Sequence, residues 1–126
     1  MPNLLLQNKV ILLAEDEYFL AEDLRSWLQA HGAFVVGPVC TISGGLAAAR
    51  DHRQPDAAVL DINLNGEQVF PLADHLAGQG VPFLFTTGYD DDMIPPRFRA
   101  APRLEKPLDL TAVLPTLAKI IFRNMV

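Results

Sequence analysis

Val10-Ile11-Leu12-Leu13-Ala14-Glu15-Asp16 is an unbroken apolar run of strand length that ends in two adjacent carboxylates. Farther along, Ala57-Ala58-Val59-Leu60-Asp61 repeats the arrangement. Runs that are apolar throughout, rather than alternating, mark strands whose sheet is covered on both faces. Nothing local requires such a strand to end in acid. Two like charges ~4 Å apart repel by about 4 kcal/mol at an effective dielectric of ~20. Three carboxylates gathered at strand ends therefore call for a cation. Oxygen ligands on short side chains suit a hard ion, Mg2+ or Mn2+.

Working outward, strand-like and helix-like segments alternate. Residues 9–14 predict the first strand. Residues 17–31 have helical periodicity, with Phe19, Leu20, Leu24, Trp27 and Leu28 on one stripe and charges opposite. Gly32 stands as the C′ residue of that helix. Residues 33–39 predict a second strand, and Thr41 or Ser43 caps a helix reaching about His52. Residues 57–60 predict a third strand. A third helix is predicted over 67–77, closed by Gly78 and Gly80. Residues 82–86 and 103–105 predict a fourth strand and a short fifth. The last helix, 110–123, has Asp109 as its cap, and Pro115 either kinks it or marks a later start. Where a fourth helix would stand, Asp90-Asp91-Asp92-Met93-Ile94-Pro95-Pro96-Arg97-Phe98 contains adjacent prolines. These deny the chain backbone donors and predict a single turn or an irregular segment.

The order of elements predicts an α/β fold, a doubly wound five-stranded parallel sheet with helices on both faces and a fourth helix that is short or irregular. Strand C-termini then share one edge, where such folds bind ligands. Glu15, Asp16, Asp61, Thr87 and Lys106 all fall at or just after strand ends. The chain has 126 residues, which predicts one domain, 1–126. Its net charge of −5 argues against direct nucleic-acid binding. Cys40 is the sole cysteine, so no intrachain disulfide can form and a zinc cage is not expected. No apolar run approaches ~18 residues, so no membrane span is expected. The N-terminus lacks a signal peptide's basic start and small-residue cleavage site, so the expected location is cytoplasmic. The Asp90-Asp91-Asp92 run reads as a solvated loop, His31, His52 and His75 as solvent-facing, and Trp27 as core.

Four segments together resemble the receiver domain of two-component response regulators. They are Leu13-Ala14-Glu15-Asp16-Glu17, Val59-Leu60-Asp61-Ile62-Asn63, Thr86-Thr87-Gly88-Tyr89 and Glu105-Lys106-Pro107. Taken singly, each has an ordinary explanation: a capping pair of acids, a turn aspartate, a turn, a solvated lysine. Together they follow the family's order and spacing, and the resemblance covers essentially the whole chain. It implies a flavodoxin-like receiver fold and assigns roles. Asp61 would be the phosphoacceptor. Glu15, Asp16, Asp61 and the backbone carbonyl of Asn63 would hold Mg2+ or Mn2+. Lys106 would pair with Asp61 and then with phosphate, and Thr87 would donate to a phosphate oxygen. The Lys106-Pro107 bond is usually cis in the family. The implied donor is a histidine kinase or a histidine phosphotransfer protein. The implied output is contact with a downstream protein, since the chain ends close behind the last helix.

Departures from the family accompany these matches. Many receivers carry an aromatic residue where Arg103 stands, and it turns inward when the threonine binds phosphate. Phe85-Thr86-Thr87-Gly88-Tyr89 is instead similar to a receiver subfamily with a Phe-Ala-Thr-Gly-hydrophobic-Tyr motif, although Thr86 replaces Ala and Tyr89 follows Gly88 directly. The loop after Asp61 lacks the common Met-Pro pair. Segment 90–98, with few apolar residues, is expected to have low local stability and to act as an order–disorder switch. Two other functions fit the same motifs: a pseudo-receiver that is never phosphorylated, and a small phosphate-ester hydrolase with Asp61 as nucleophile. The second lacks a general acid where Asn63 sits. Beyond Mg-dependent self-phosphorylation and self-dephosphorylation, no enzymatic activity is expected.

Overall fold

The computed structural model describes residues 4–51, 53–88 and 94–123. In chain order the elements are β1 Val10–Ala14, α1 Tyr18–Ala30, β2 Phe34–Val39, α2 Ile42–Asp51, β3 Ala57–Asp61, β4 Asn63–Leu64, β5 Glu67–Gln68, α3 Phe70–Gly78, β6 Phe83–Thr87, a 3-10 turn Pro96–Phe98, β7 Arg103–Glu105 and α4 Leu110–Phe122. Five strands form a parallel sheet in the order β2-β1-β3-β6-β7. The chain winds one way from β1 to β2 and the other way from β3 onward. The reversal falls between β1 and β3, the two strands that end in acids.

Every residue of β1, β3 and β6 is buried. Alternate residues of each strand serve opposite faces. On one face Leu12, Leu60 and Phe85 pack with Leu72 and Leu76 of α3. On the other, Ile11, Leu13, Val59 and Leu84 pack with Leu24 and Leu28 of α1 and Val113 and Leu117 of α4. The receiver-type five-stranded architecture expected from the sequence is the one found. Among the described residues, no helix is long and apolar enough to cross a membrane.

The expected helix ends are present. Gly32 has φ +96°, and the two N–H groups after α1 turn back on its last carbonyls. Thr41 Oγ1 accepts from Gly44 N–H at 3.0 Å at the start of α2. Asp109 Oδ1 accepts from Thr111 N–H at 3.0 Å, so α4 begins at its cap and Pro115 lies inside it.

Several expectations need correction. Phe19 is 81% exposed and Tyr18 72%, while α1 buries Ala21, Leu24 and Leu28. At 3.6 residues per turn, Phe19 lies about 180° around the helix from Leu28, so it could not share that stripe. Trp27 is half-buried rather than core, and its ring lies 4.6 Å from that of His31. His31 is likewise not simply solvated: its Nδ1 bonds the Trp27 carbonyl oxygen at 2.8 Å. His75 is also half-buried, whereas His52 lies outside the described residues.

The third helix starts at Phe70, not at Glu67. Glu67 and Gln68 instead pair antiparallel with Leu64 and Asn63. The turn between them, Asn65-Gly66, has φ +51° and +86°. Positive φ at both central residues is the type I′ hairpin geometry, for which Asn-Gly is the favoured pair.

In segment 90–98 the acidic run and Met93 lie outside the described residues, as does Tyr89. The remainder forms the single turn expected from Pro95-Pro96. It is not weakly held. Ile94 and Phe98 are 7% and 5% exposed, and Phe98 packs on the rings of Phe70, Phe83 and Phe85 at 5.7–5.8 Å. The low local stability expected from composition is thus countered at Ile94 and Phe98, while the rest of that expectation falls on residues outside the described ones.

Three stability outcomes follow. Gly37 has φ +113°, and a Cβ there would lie 2.5 Å from the Leu13 carbonyl oxygen in β1. Gly37→Ala should cost about 2 kcal/mol or more in urea unfolding. Gly78→Ala meets nothing within 4 Å, and should change stability by less than about 0.5 kcal/mol. Phe98→Ala should cost about 3–5 kcal/mol if the aromatic cluster anchors the turn; a loss below about 1 kcal/mol would contradict that anchoring.

Candidate functional site

The strand ends assemble the site. Ala14 pairs with Leu60 across β1 and β3, so Glu15 and Asp16 emerge beside Asp61. Asp61 pairs with Thr86 and Thr87 with Glu105, which sets Thr87 and Lys106 along the same rim. Lys106 N–H donates to the Thr87 carbonyl at 2.8 Å. Six residues from four strand ends, Glu15, Asp16, Asp61, Asn63, Thr87 and Lys106, thus meet at one edge. Glu15, Asp16 and Asp61 each offer a carboxylate oxygen within 4.8 Å of the others. This oxygen-only set could hold a hard divalent cation.

Lys106 crosses the middle of the group. Its Nζ lies 2.9 Å from Asp61 Oδ2, 3.1 Å from Glu15 Oε2 and 3.3 Å from Glu17 Oε1. The Lys106-Pro107 peptide is cis, as the resemblance implied. Burial alone would lower the Lys106 pKa. The hydrogen bond and charge of Asp61, with those of Glu15, outweigh it and hold the ammonium above its ordinary range. Lys106 is therefore charged at neutral pH.

Glu15 is 2% exposed, and its Oε1 makes no hydrogen bond among the described residues. Its carboxyl is held up from 4.5 to about 7, first by burial and then by the hydrogen bond and charge of Asp61. The Glu17 N–H, which donates to Glu15 Oε2 at 3.1 Å, and the charge of Lys106 pull the other way.

Asp61 is 5% exposed and Thr87 3%. Both open onto a cleft of about 430 Å³, also lined by Asp16, Asn63, Gly88 and Lys106. Asn63 N–H donates to Asp61 Oδ1 at 3.1 Å. A second hollow, of about 360 Å³, lies between α3, the 3-10 turn and α4. Its walls are mostly apolar, and it gathers no cluster of acids. Arg103, the departure in β7, is half-buried and donates toward the Arg99 carbonyl at 3.4 Å.

Two residues that sequence reasoning passed over also belong to the rim. Glu17 reaches Lys106, and its only signal was being the third acid in a row. Asn65 N–H donates to Asp16 Oδ2 at 2.8 Å. Its signal was the Asn-Gly pair, which announces a hairpin.

No protein-family model and no curated protein matches the sequence. Solved structures do. SdrG from Sphingomonas melonis Fr1 is 38% identical with a TM-score of 0.76, over 91% of this chain and 97% of that one. The BeF3-activated conformation of SdrG from Pseudomonas melonis Fr1 is 38% identical at 0.74, over 96% and 99%. The PhyR response regulator REC domain from Erythrobacter litoralis is 23% identical at 0.80, over 93% and 92%. A response regulator receiver protein from Sinorhizobium medicae WSM419 is 21% identical at 0.77, over 92% and 96%. The last two speak for the fold alone; SdrG is similar in sequence as well, along nearly the full length of both chains. With this fold, this likeness and the four motifs converging on one rim, the chain belongs to the receiver domains of response regulators.

Proposed function

We propose that residues 1–126 form a receiver domain in which Asp61 accepts a phosphoryl group from the phosphohistidine of a histidine kinase or phosphotransfer protein. The observation that carries this reading is the setting of Asp61. It is nearly buried at the floor of an open cleft, 2.9 Å from the Lys106 ammonium and within 4.8 Å of two further acids. Glu15, Asp16, Asp61 and the carbonyl of Asn63 would hold Mg2+ or Mn2+. The donor set fits such an ion. It is all oxygen, it contains in Glu15 Oε1 a buried oxygen that has no partner among the described residues, and its three acids outnumber the one lysine that bridges two of them. Bound there, the cation would neutralise charge on the incoming phosphoryl oxygens.

The protein's own groups supply the rest. An Asp61 oxygen forms the new bond to phosphorus as the donor's P–N bond breaks, giving an acyl phosphate. Lys106 holds Asp61 in place before transfer and can pair with phosphate afterwards, as a compact point charge on a flexible stem. Thr87 offers a hydroxyl that can donate to a phosphate oxygen. The product carries roughly −1.5 to −2 of added charge, enough to alter contacts at this rim. Slow hydrolysis of the acyl phosphate resets the domain. The output is contact with a downstream protein in the cytoplasm. That SdrG, similar in sequence, has a BeF3-activated conformation supports a reading in which this chain also has an activated state.

Three outcomes test the reading. With acetyl phosphate and Mg2+, intact mass spectrometry should show one added phosphoryl group on the parent and none on Asp61→Asn. Labelling of that variant would remove Asp61 from its role, and an unlabelled parent would favour a pseudo-receiver. In calorimetry Asp16→Ala should weaken Mg2+ binding by at least about tenfold, the loss that outer-shell changes alone can bring.

The third outcome is a pH dependence. Glu15 takes up a proton more readily in the folded protein, at about 7, than at its ordinary 4.5. Its contribution to metal-free stability is therefore fully present below pH 4.5 and is lost as pH rises through about 7. Without metal, Glu15→Gln should gain thermal stability relative to the parent between pH 5 and pH 8. Parallel curves across that window would show that Glu15 is not strained by its burial.

A further inference from the structure

The ribbon of β4 and β5 touches two acids at once. Asn63 N–H donates to Asp61 Oδ1 at 3.1 Å, and Asn65 N–H to Asp16 Oδ2 at 2.8 Å. Asp61 ends β3 and Asp16 follows β1, so no single strand fixes the distance between them. The ribbon itself is tied down. The Asn65 side-chain amide donates to the Cys40 carbonyl, just past β2, at 2.9 Å. Asn63 Oδ1 accepts from Gly66 N–H at 2.8 Å and closes the turn. Both turn residues have the positive φ that Asn and Gly tolerate. The short hairpin thus bridges the ends of three strands, with Asn65 of its turn joining the ends of β1 and β2 and Asn63 of β4 reaching the end of β3.

We infer that Asn65 is a positioning residue for the divalent-cation site, holding Asp16 at a set separation from Asp61 and thereby favouring Mg2+ over the larger Ca2+. The inference rests on the metal site proposed above. Mg2+ demands near-ideal octahedral geometry at about 2.0–2.1 Å, whereas Ca2+ accepts flexible arrangements at about 2.3–2.6 Å. A strap that fixes two carboxylates serves the ion that tolerates less displacement. Loosening the strap should harm Mg2+ binding more than Ca2+ binding.

The test is calorimetry with Mg2+ alone and Ca2+ alone on the parent, Asn65→Gly and Asp16→Ala. Glycine keeps the left-handed turn and removes only the anchor to Cys40. Asn65→Gly should weaken Mg2+ binding by about tenfold and Ca2+ binding by less than about threefold. Its metal-free melting temperature should stay close to the parent's. In the parent, the amide resonance of residue 65 should move during the Mg2+ titration. Asn65→Asp, which tolerates the same backbone but cannot donate to Cys40, should narrow the Mg2+/Ca2+ ratio in the same direction. An unchanged ratio in both variants, or equal losses for both ions, would overturn the positioning role. A parent that binds no Mg2+, or an Asp16→Ala variant that binds it undiminished, would overturn the metal site itself.

Discussion

Mutual repulsion among carboxylates at one sheet edge is the constraint that organises this molecule. Glu15 and Asp61 are nearly buried, where charge is expensive, and Asp16 stands beside them. An arrangement of this kind persists only if compensation is built in. Lys106 supplies part of it through two short contacts. Backbone N–H groups supply more: Asn63 on Asp61, Asn65 on Asp16, and Glu17 on Glu15. The remainder appears as a raised pKa on Glu15 and an oxygen without a partner among the described residues. A cleft that leaves negative charge uncompensated in the free protein is suited to a cation and to a reaction that brings phosphate.

The parallel sheet makes this gathering possible. Its three central strands are buried on both faces, so their polar groups gather at the strand ends. Parallel pairing places the C-termini together. That logic was legible in the sequence only jointly: Glu15-Asp16 alone reads as a cap and Asp61 alone as a turn residue, but both after apolar runs on one predicted edge do not. Thr87 and Lys106 were legible in the same way, as polar residues at or just after strand ends. Element ends carried by local chemistry were legible too: Gly32 with its positive φ, and the caps Thr41 and Asp109.

What escaped the sequence reading depended on competing signals or on tertiary contact. Phe19 looked like core because it is large and apolar, but its angular position on α1 excludes it from the buried face. The helical pattern over 67–77 obscured Asn65-Gly66, although that pair names its own turn type. Glu17 and Asn65 act through a neighbour's atom rather than through a motif. Their roles follow from Lys106 and Asp16, and are visible only when the strands are placed side by side.

Phe98 shows the same limit in its energetics. Its turn is joined to α3 by the Arg97–Asp74 ion pair, and both partners are about half exposed. The pairing lowers the Asp74 pKa, yet solvent screening leaves such surface pairs with little net effect. The ring of Phe98, by contrast, is almost fully removed from water and meets three others. Aromatic burial on that scale outweighs the charge pair. In the sheet, Phe85 is paired with Arg103, the position where many receivers carry an aromatic. The aromatic packing on this face is instead supplied from the turn, by Phe98 lying on Phe83 and Phe85. The turn follows β6 in the chain and packs on β6 in space. Phe98 therefore ties the turn to β6 and, through Phe70, to α3, and the exposed ion pair adds little to that tie.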